Sequence, residues 1–319
     1  MKLALILSLL LFAFIEASLR IAWPILWPQD TKHYVVDKNY GIKYRPGYYT
    51  NTDKPSPIGF TGNINSLGYR GPEWSKAKKP GVTRIIAVGD SVVLGLGTTK
   101  DEADWPTQLG KILGPKYEVL NAGLGGNTSA NVLYRLKTEL LDYQPDIILV
   151  SVGSNDMNIE HPGAPRIYRD RTGAGTFILQ HCYTLRALAG LLYKKILPVI
   201  PWDDSEKKII EFIEYYPENY AHNLLEISCL ESRMIFLTSA SLINTKGDKS
   251  RVRLPYYAQS EFCFSMLFHR FNKVIRSNKI DMSEYFQLLP NGAQYFGDNV
   301  HLTDEGYRLY AEEIARRIR

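Results

Sequence analysis

RIIAVGDSVVLGLG, residues 84–97, begins as an apolar, β-branched run and stops abruptly on Gly89-Asp90-Ser91, with more glycine behind. Such a run predicts a buried strand over TRIIAVG (83–89), ending in a tight turn that presents one hydroxyl. A serine there can cap the next helix, bind a phosphate or attack a carbonyl. Downstream, strand-like and helix-like segments alternate, the pattern of a parallel sheet covered on both faces. Further strands are expected at 116–123, 145–153, 233–240 and 279–283. Helices are expected at 101–114, 128–143, within 173–232, at 255–278, and finally from an N-cap at Thr303. The fold class is therefore α/β, a three-layer sandwich with about five parallel strands.

Ligands of open α/β sheets gather at the carboxyl ends of the strands. The first strand delivers Gly89-Asp90-Ser91, and the second runs into NAGLGGNTS (121–129). The third delivers Gly153-Ser154-Asn155-Asp156, and GDNVH (297–301) before the last helix sets Asp298 three residues ahead of His301. Each residue alone has an ordinary explanation: Ser91 as a helix cap, Asp298 as a turn, Asn155-Asp156 as a cap and His301 as a surface residue. Neither GLGTTK (95–100) nor GLGGNTS (123–129) has the Gly-x-x-x-x-Gly-Lys-Ser/Thr spacing of a phosphate loop.

Taken together and in this order, the four blocks resemble the SGNH, or GDSL, hydrolase family over nearly everything after residue 83. The resemblance implies a flavodoxin-like fold and a serine hydrolase of carboxylic esters. It matches Ser91 to the nucleophile, His301 to its base and Asp298 to the carboxylate that orients the imidazole. It implies an oxyanion hole of Ser91, Gly126 and Asn155, with Gly123 and Gly125 as alternatives to Gly126. Physically, an ester-cleaving serine needs a base, an orienting acid and donors aimed at the developing oxyanion. No metal or organic cofactor is implied. Some domains resembling this family pass acetyl groups to glycans, and in several the Asp/His pair precedes the serine; here Asp298 and His301 follow it, which favours hydrolysis. A non-catalytic envelope binding module is opposed by the intact Ser91, Asn155, Asp298 and His301.

The rest of the chain sets the context. Its 319 residues, 45% hydrophobic and 22% charged, suit a globular protein, and a net charge of +5 with its densest cluster at Arg316, Arg317 and Arg319 argues against nucleic-acid binding. Cys182, Cys229 and Cys263 have neither metal-ligand spacing nor the density of a disulfide framework. Residues 1–27 open with the apolar LALILSLLLFAFI and read as a signal anchor or a signal peptide. An anchor extending to Trp23 includes Glu16 and Arg20 at i,i+4 spacing, able to pair, and is the preferred reading. Lys32, Lys38, Lys43 and Arg45 just beyond it oppose an external domain on the positive-inside count. Residues 28–80 are a Tyr/Pro/Gly-rich arm of turns and short strands whose aromatics pack against the domain, and 81–319 form the hydrolase domain. Arg166, Arg169 and Arg171 in the long insertion 157–232 suit an anionic headgroup or glycan, or simply a solvated loop. The expected substrate is an acylated small molecule, glycan or lipid. Deacetylation of an envelope glycan comes first, and a lipid acylhydrolase second.

Overall fold

The structure, a computed structural model, describes residues 2–26, 34–37, 40–52, 59–160, 182–185, 187–188, 214–230, 233–253 and 260–319. Its centre is a five-stranded parallel sheet of β5 (Thr83–Gly89), β6 (Tyr117–Gly123), β7 (Ile147–Ser151), β8 (Met234–Leu237) and β9 (Lys279–Ile280), in the order β6-β5-β7-β8-β9. That is the flavodoxin order, and it reverses direction between β5 and β7, the switch point where such sheets bind ligands.

Alternation along β5 explains the layering. Ile86 and Val88 join one apolar cluster with Val132 and Leu136 of α4 (Ser129–Thr138), Leu224 of α6 (Glu218–Ser228) and Leu267 of α7 (Glu261–Val274). Ile85 and Ala87 join the opposite cluster with Leu109 of α3 (Trp105–Leu113), Phe286 of α8 (Met282–Leu288) and Tyr310 of α9 (Asp304–Ile318). The sheet is thus covered on both faces, which accounts for strands that read as continuous apolar runs.

The arm forms two antiparallel hairpins, β1 (Tyr34–Asp37) with β2 (Gly41–Tyr44), and β3 (Gly47–Tyr49) with β4 (Gly62–Ile64). Tyr44, Tyr49, Phe60 and Tyr69 are buried in the first cluster, packing against the domain as the sequence predicts. Arg70 then bridges Ile64 on one side and Asn121 of β6 on the other.

Several boundaries differ from expectation, among them the 101–114 helix, which begins at Trp105, and the 145–153 and 233–240 strands, which are Ile147–Ser151 and Met234–Leu237; three others have a visible cause. The 128–143 helix ends at Thr138 and gives way to a 3-10 turn, Leu140–Tyr143. Glu139 leaves helical geometry (φ −145°, ψ −55°), and its carboxylate accepts a hydrogen bond from Tyr69 Oη at 2.9 Å. The 279–283 strand is only Lys279–Ile280, because the Asp281 side chain accepts from the Glu284 N–H and starts α8. The helix expected at 255–278 is described from an N-cap at Ser260, whose hydroxyl accepts from the Cys263 N–H.

The N-terminal helix α1 (Lys2–Leu26) is long and apolar enough to cross a membrane over Ala4–Ala22, with mean hydropathy 2.1. Glu16 and Arg20 pair at 2.9 Å, as their spacing predicts. Of the helices expected within 173–232, α6 is described along with short helical pieces at 183–185 and 187–188; Arg166, Arg169 and Arg171 lie outside the described residues.

Candidate active site

Beyond β5 the chain turns at Asp90, whose carboxylate accepts from the Val92 N–H at 2.9 Å and so caps the short helix α2 (Ser91–Leu94). Ser91 is therefore the first residue of that helix and not its cap, which leaves its hydroxyl free for another partner. Asp90 also accepts from Ser154 Oγ at 2.7 Å, tying the end of β5 to the segment after β7. Burial pushes the Asp90 carboxyl above its ordinary value, against the hydrogen bonds from Ser154 and Val92 and the charge of His301.

α2 rests directly on the strand ends. A Cβ on Gly123 would lie 2.1 Å from the Leu94 nitrogen, so only glycine admits this approach. The far end of α2 is held by Arg70, which is fully buried and donates to the carbonyls of Leu94 (2.9 Å) and Gly95 (3.1 Å). Its guanidinium pairs with Asp104 at 3.2 Å, and Asn121 Nδ2 donates both to Asp104 and to the Val93 carbonyl. Sequence reasoning missed this network, since Arg70 stands in a turn-rich segment and its acidic partner is on the far side of the Ser91 motif.

His301 sits in a tight loop ahead of α9, closed by a bridge between Phe296 and Leu302 and by Gly297 N–H donating to the His301 carbonyl at 2.8 Å. The imidazole lies between two partners: Nε2 is 2.8 Å from Ser91 Oγ and Nδ1 is 2.8 Å from Asp298 Oδ2. The other oxygen of Asp298 accepts from the backbone N–H groups of Val300 (3.0 Å) and His301 (2.7 Å). Burial alone would raise the Asp298 carboxyl, but the hydrogen bond and charge of His301, with those two N–H groups, hold it below the usual carboxylate value of 3.8. An ionised carboxylate only accepts, so Nδ1 carries a proton; when the ring holds no second proton, Nε2 is left as acceptor toward the serine hydroxyl. The sequence-predicted Ser91, Asp298 and His301 thus meet in one hydrogen-bonded line, although Ser91 and His301 stand at opposite ends of the domain.

Gly126 and Asn155 come from the neighbouring strand ends. Gly126 has φ +73°, a region that favours glycine, and space where a Cβ would point. Among the described residues its N–H has no hydrogen-bond partner, and neither has that of Ser91. The N–H of Gly123 is occupied by Asn121 Oδ1 at 2.9 Å. Asn155, on the helix α5 (Ser154–Glu160), donates from Nδ2 to the Asn127 carbonyl at 3.0 Å, which spends one of its two N–H bonds and ties that helix to the loop of Gly126. Asp156, on the same helix, fastens it to the start of α4 by accepting from the Ser129 N–H and hydroxyl. Of the remaining histidines, His222 is exposed beside Glu226 at 2.9 Å and His269 is exposed. His33, His161 and His181 lie outside the described residues.

Residues 87–226 match the model of the GDSL-like Lipase/Acylhydrolase family. These residues belong to the SGNH, or GDSL, hydrolase family. The chain is similar to the uncharacterized lipoprotein YqeF of Bacillus subtilis, 33% identical over 97 residues, which is 28% of this chain and 39% of that protein. It is also similar to Esterase TesA of Pseudomonas aeruginosa, 36% identical over 75 residues, 23% of this chain and 37% of that protein. The chain therefore spans well under two thirds of the length of these relatives. A solved lipase/acylhydrolase from Enterococcus faecalis is 18% identical, with TM-score 0.42, over 74% of this chain and 95% of its own.

Proposed function

We propose that this SGNH hydrolase cleaves carboxylic esters through an acyl-Ser91 intermediate. The observation that carries the reading is the line Ser91 Oγ, His301, Asp298, with both contacts to the imidazole at 2.8 Å. As Ser91 Oγ attacks the ester carbon, its proton passes to His301 Nε2, and Asp298 stabilises the imidazolium that forms. The carbonyl oxygen becomes an oxyanion, received by the N–H groups of Ser91 and Gly126 and by the second N–H of Asn155 Nδ2. Collapse expels the alcohol, which takes the proton from His301. Water, deprotonated by the same nitrogen, then attacks the acyl-serine and releases the carboxylic acid, restoring Ser91. Asp90 and Asp156 tie down the loops that aim these groups.

We assign residues 1–27 to a membrane anchor, 28–80 to the arm and 81–319 to the hydrolase domain, with the domain outside the cytoplasm. A relative described as a lipoprotein supports an envelope setting. The preferred substrate is an acetylated envelope glycan. The test is a series of p-nitrophenyl esters from acetate to palmitate on the full chain in detergent, with Ser91→Ala as control. Cleavage of short esters, lost in the control, supports the reading; preference for long chains replaces the glycan by a lipid, and cleavage surviving in Ser91→Ala rejects the nucleophile.

A further inference from the structure

Glu16 is an acidic residue in the apolar window of α1, about 9 Å along the axis from its end at Ala22. Around it Leu5, Leu9, Leu10, Phe14 and Ile21 are exposed, yet the Glu16 side chain is only 16% exposed. A carboxylate in hydrocarbon costs several kcal/mol unless it is paired, and so does each unsatisfied backbone N–H. Glu16 meets both demands with one contact. Its carboxylate accepts from the N–H groups of Tyr183 (3.0 Å) and Thr184 (2.8 Å), from Thr184 Oγ1 (2.8 Å) and from Cys182 Sγ (3.4 Å). Arg20, paired with Glu16, places its guanidinium 5.0 Å from the Tyr183 ring centroid. These partners belong to the insertion that follows Asn155.

Two further observations point the same way. Leu185 and Leu188, just beyond the contact, are 36% and 50% exposed, extending the exposed apolar surface of α1. In sequence, residues 171–202 contain no Asp or Glu, but carry Arg171, Arg186, Lys194 and Lys195 among many apolar residues. Apolar residues interspersed with cations suit a segment that lies in the interface of an anionic bilayer.

We propose that residues 182–185 and 187–188 are a second membrane contact, docked on α1 through Glu16, with Leu185 and Leu188 facing lipid. The proposal rests on the reading of α1 as a membrane helix. It makes the insertion a membrane element instead of a solvated loop, and it fixes that element to the anchor by a polar contact that lipid cannot replace.

The test uses the full chain in phosphatidylcholine/phosphatidylglycerol vesicles. A nitroxide is placed in turn at Leu188→Cys, at Leu10→Cys on α1 and at Leu225→Cys on α6, with Cys182→Ser, Cys229→Ser and Cys263→Ala removing the native thiols. Collisions with oxygen report lipid, and collisions with a water-soluble nickel complex report solvent. The expected result is a lipid signature at Leu188 and Leu10 and an aqueous one at Leu225. Glu16→Leu is expected to move the Leu188 label into water while the Leu10 label stays, and Glu16→Gln, which keeps an acceptor oxygen, to move it less. An aqueous Leu188 beside a lipid-buried Leu10, or a Leu188 label indifferent to Glu16→Leu, overturns the docking. An aqueous Leu10 overturns the anchor reading, and the proposal with it.

Discussion

Asp298→Asn separates the chemistry of the site from its architecture. Oδ1 of the aspartate accepts the Val300 and His301 N–H groups, and an asparagine oxygen can keep both bonds. Oδ2 faces His301 Nδ1 at 2.8 Å, and there the variant presents an amide N–H. Two donors cannot share that contact, so the ring must adopt the other tautomer, with Nδ1 accepting from the amide and Nε2 bearing the proton. Nε2 then donates to Ser91 Oγ and can no longer take its proton. Loss of the correct tautomer in a serine triad costs about 10⁴-fold in kcat, or about 5.5 kcal/mol of barrier. The loop keeps its backbone bonds, so stability should change by no more than about 3 kcal/mol, the upper end for a hydrogen bond to a charged group. Initial rates on p-nitrophenyl acetate, beside a thermal melt of the same sample, give both quantities. A folded variant retaining more than about a tenth of wild-type kcat would refute the tautomer argument.

Other outcomes follow from the same geometry. Because the Asp298 carboxyl is held below its usual value of 3.8, its contribution to stability is fully present above that value and is lost as pH falls through the lowered folded-state value. The Tm difference between wild type and Asp298→Asn should accordingly stay constant from neutral pH downward and close only in acid; a gap already closing near neutrality contradicts the assignment. Asn155→Ala removes one oxyanion donor and should lower kcat by about 10²–10³-fold with little change in KM; an effect confined to KM would show that the side chain only binds substrate. Arg70→Met leaves Asp104 buried without its cation and should cost about 3–5 kcal/mol in urea unfolding, with Arg70→Lys costing less. A neutral Arg70→Met would mean that the network below α2 is dispensable.

The candidate site was legible in sequence because three of its residues, Ser91, Gly126 and Asn155, stand just beyond punctuated strand ends. Apolar runs closed by Gly89, Gly123 and Gly153 mark where a parallel sheet hands its chain to the next helix, and Ser91, Gly126 and Asn155 follow within three residues. Asp298 and His301 were legible by their spacing and their place before a capped helix. Of the arm's aromatics, Tyr44, Tyr49, Phe60 and Tyr69 pack as read, whereas Tyr48 is exposed. Arg70 was hidden, because buried arginines are rare and the carbonyls it binds are invisible in sequence. The split of the 128–143 helix was hidden for a similar reason: the pull of Tyr69 on Glu139 is a tertiary contact that no local pattern records. The start of α8 was missed although its signal was present, Asp281 three residues before Glu284, the spacing of a capped helix N-terminus.

If Ser91 is a nucleophile activated by His301, it should react covalently with an electrophilic phosphorus probe. A fluorophosphonate is incubated with the full chain and the modified peptide is mapped by mass spectrometry. One adduct is expected, on Ser91, absent from Ser91→Ala and formed far more slowly by Asp298→Asn. An unlabelled wild type, or an adduct on another residue that survives in Ser91→Ala, would contradict that role for Ser91.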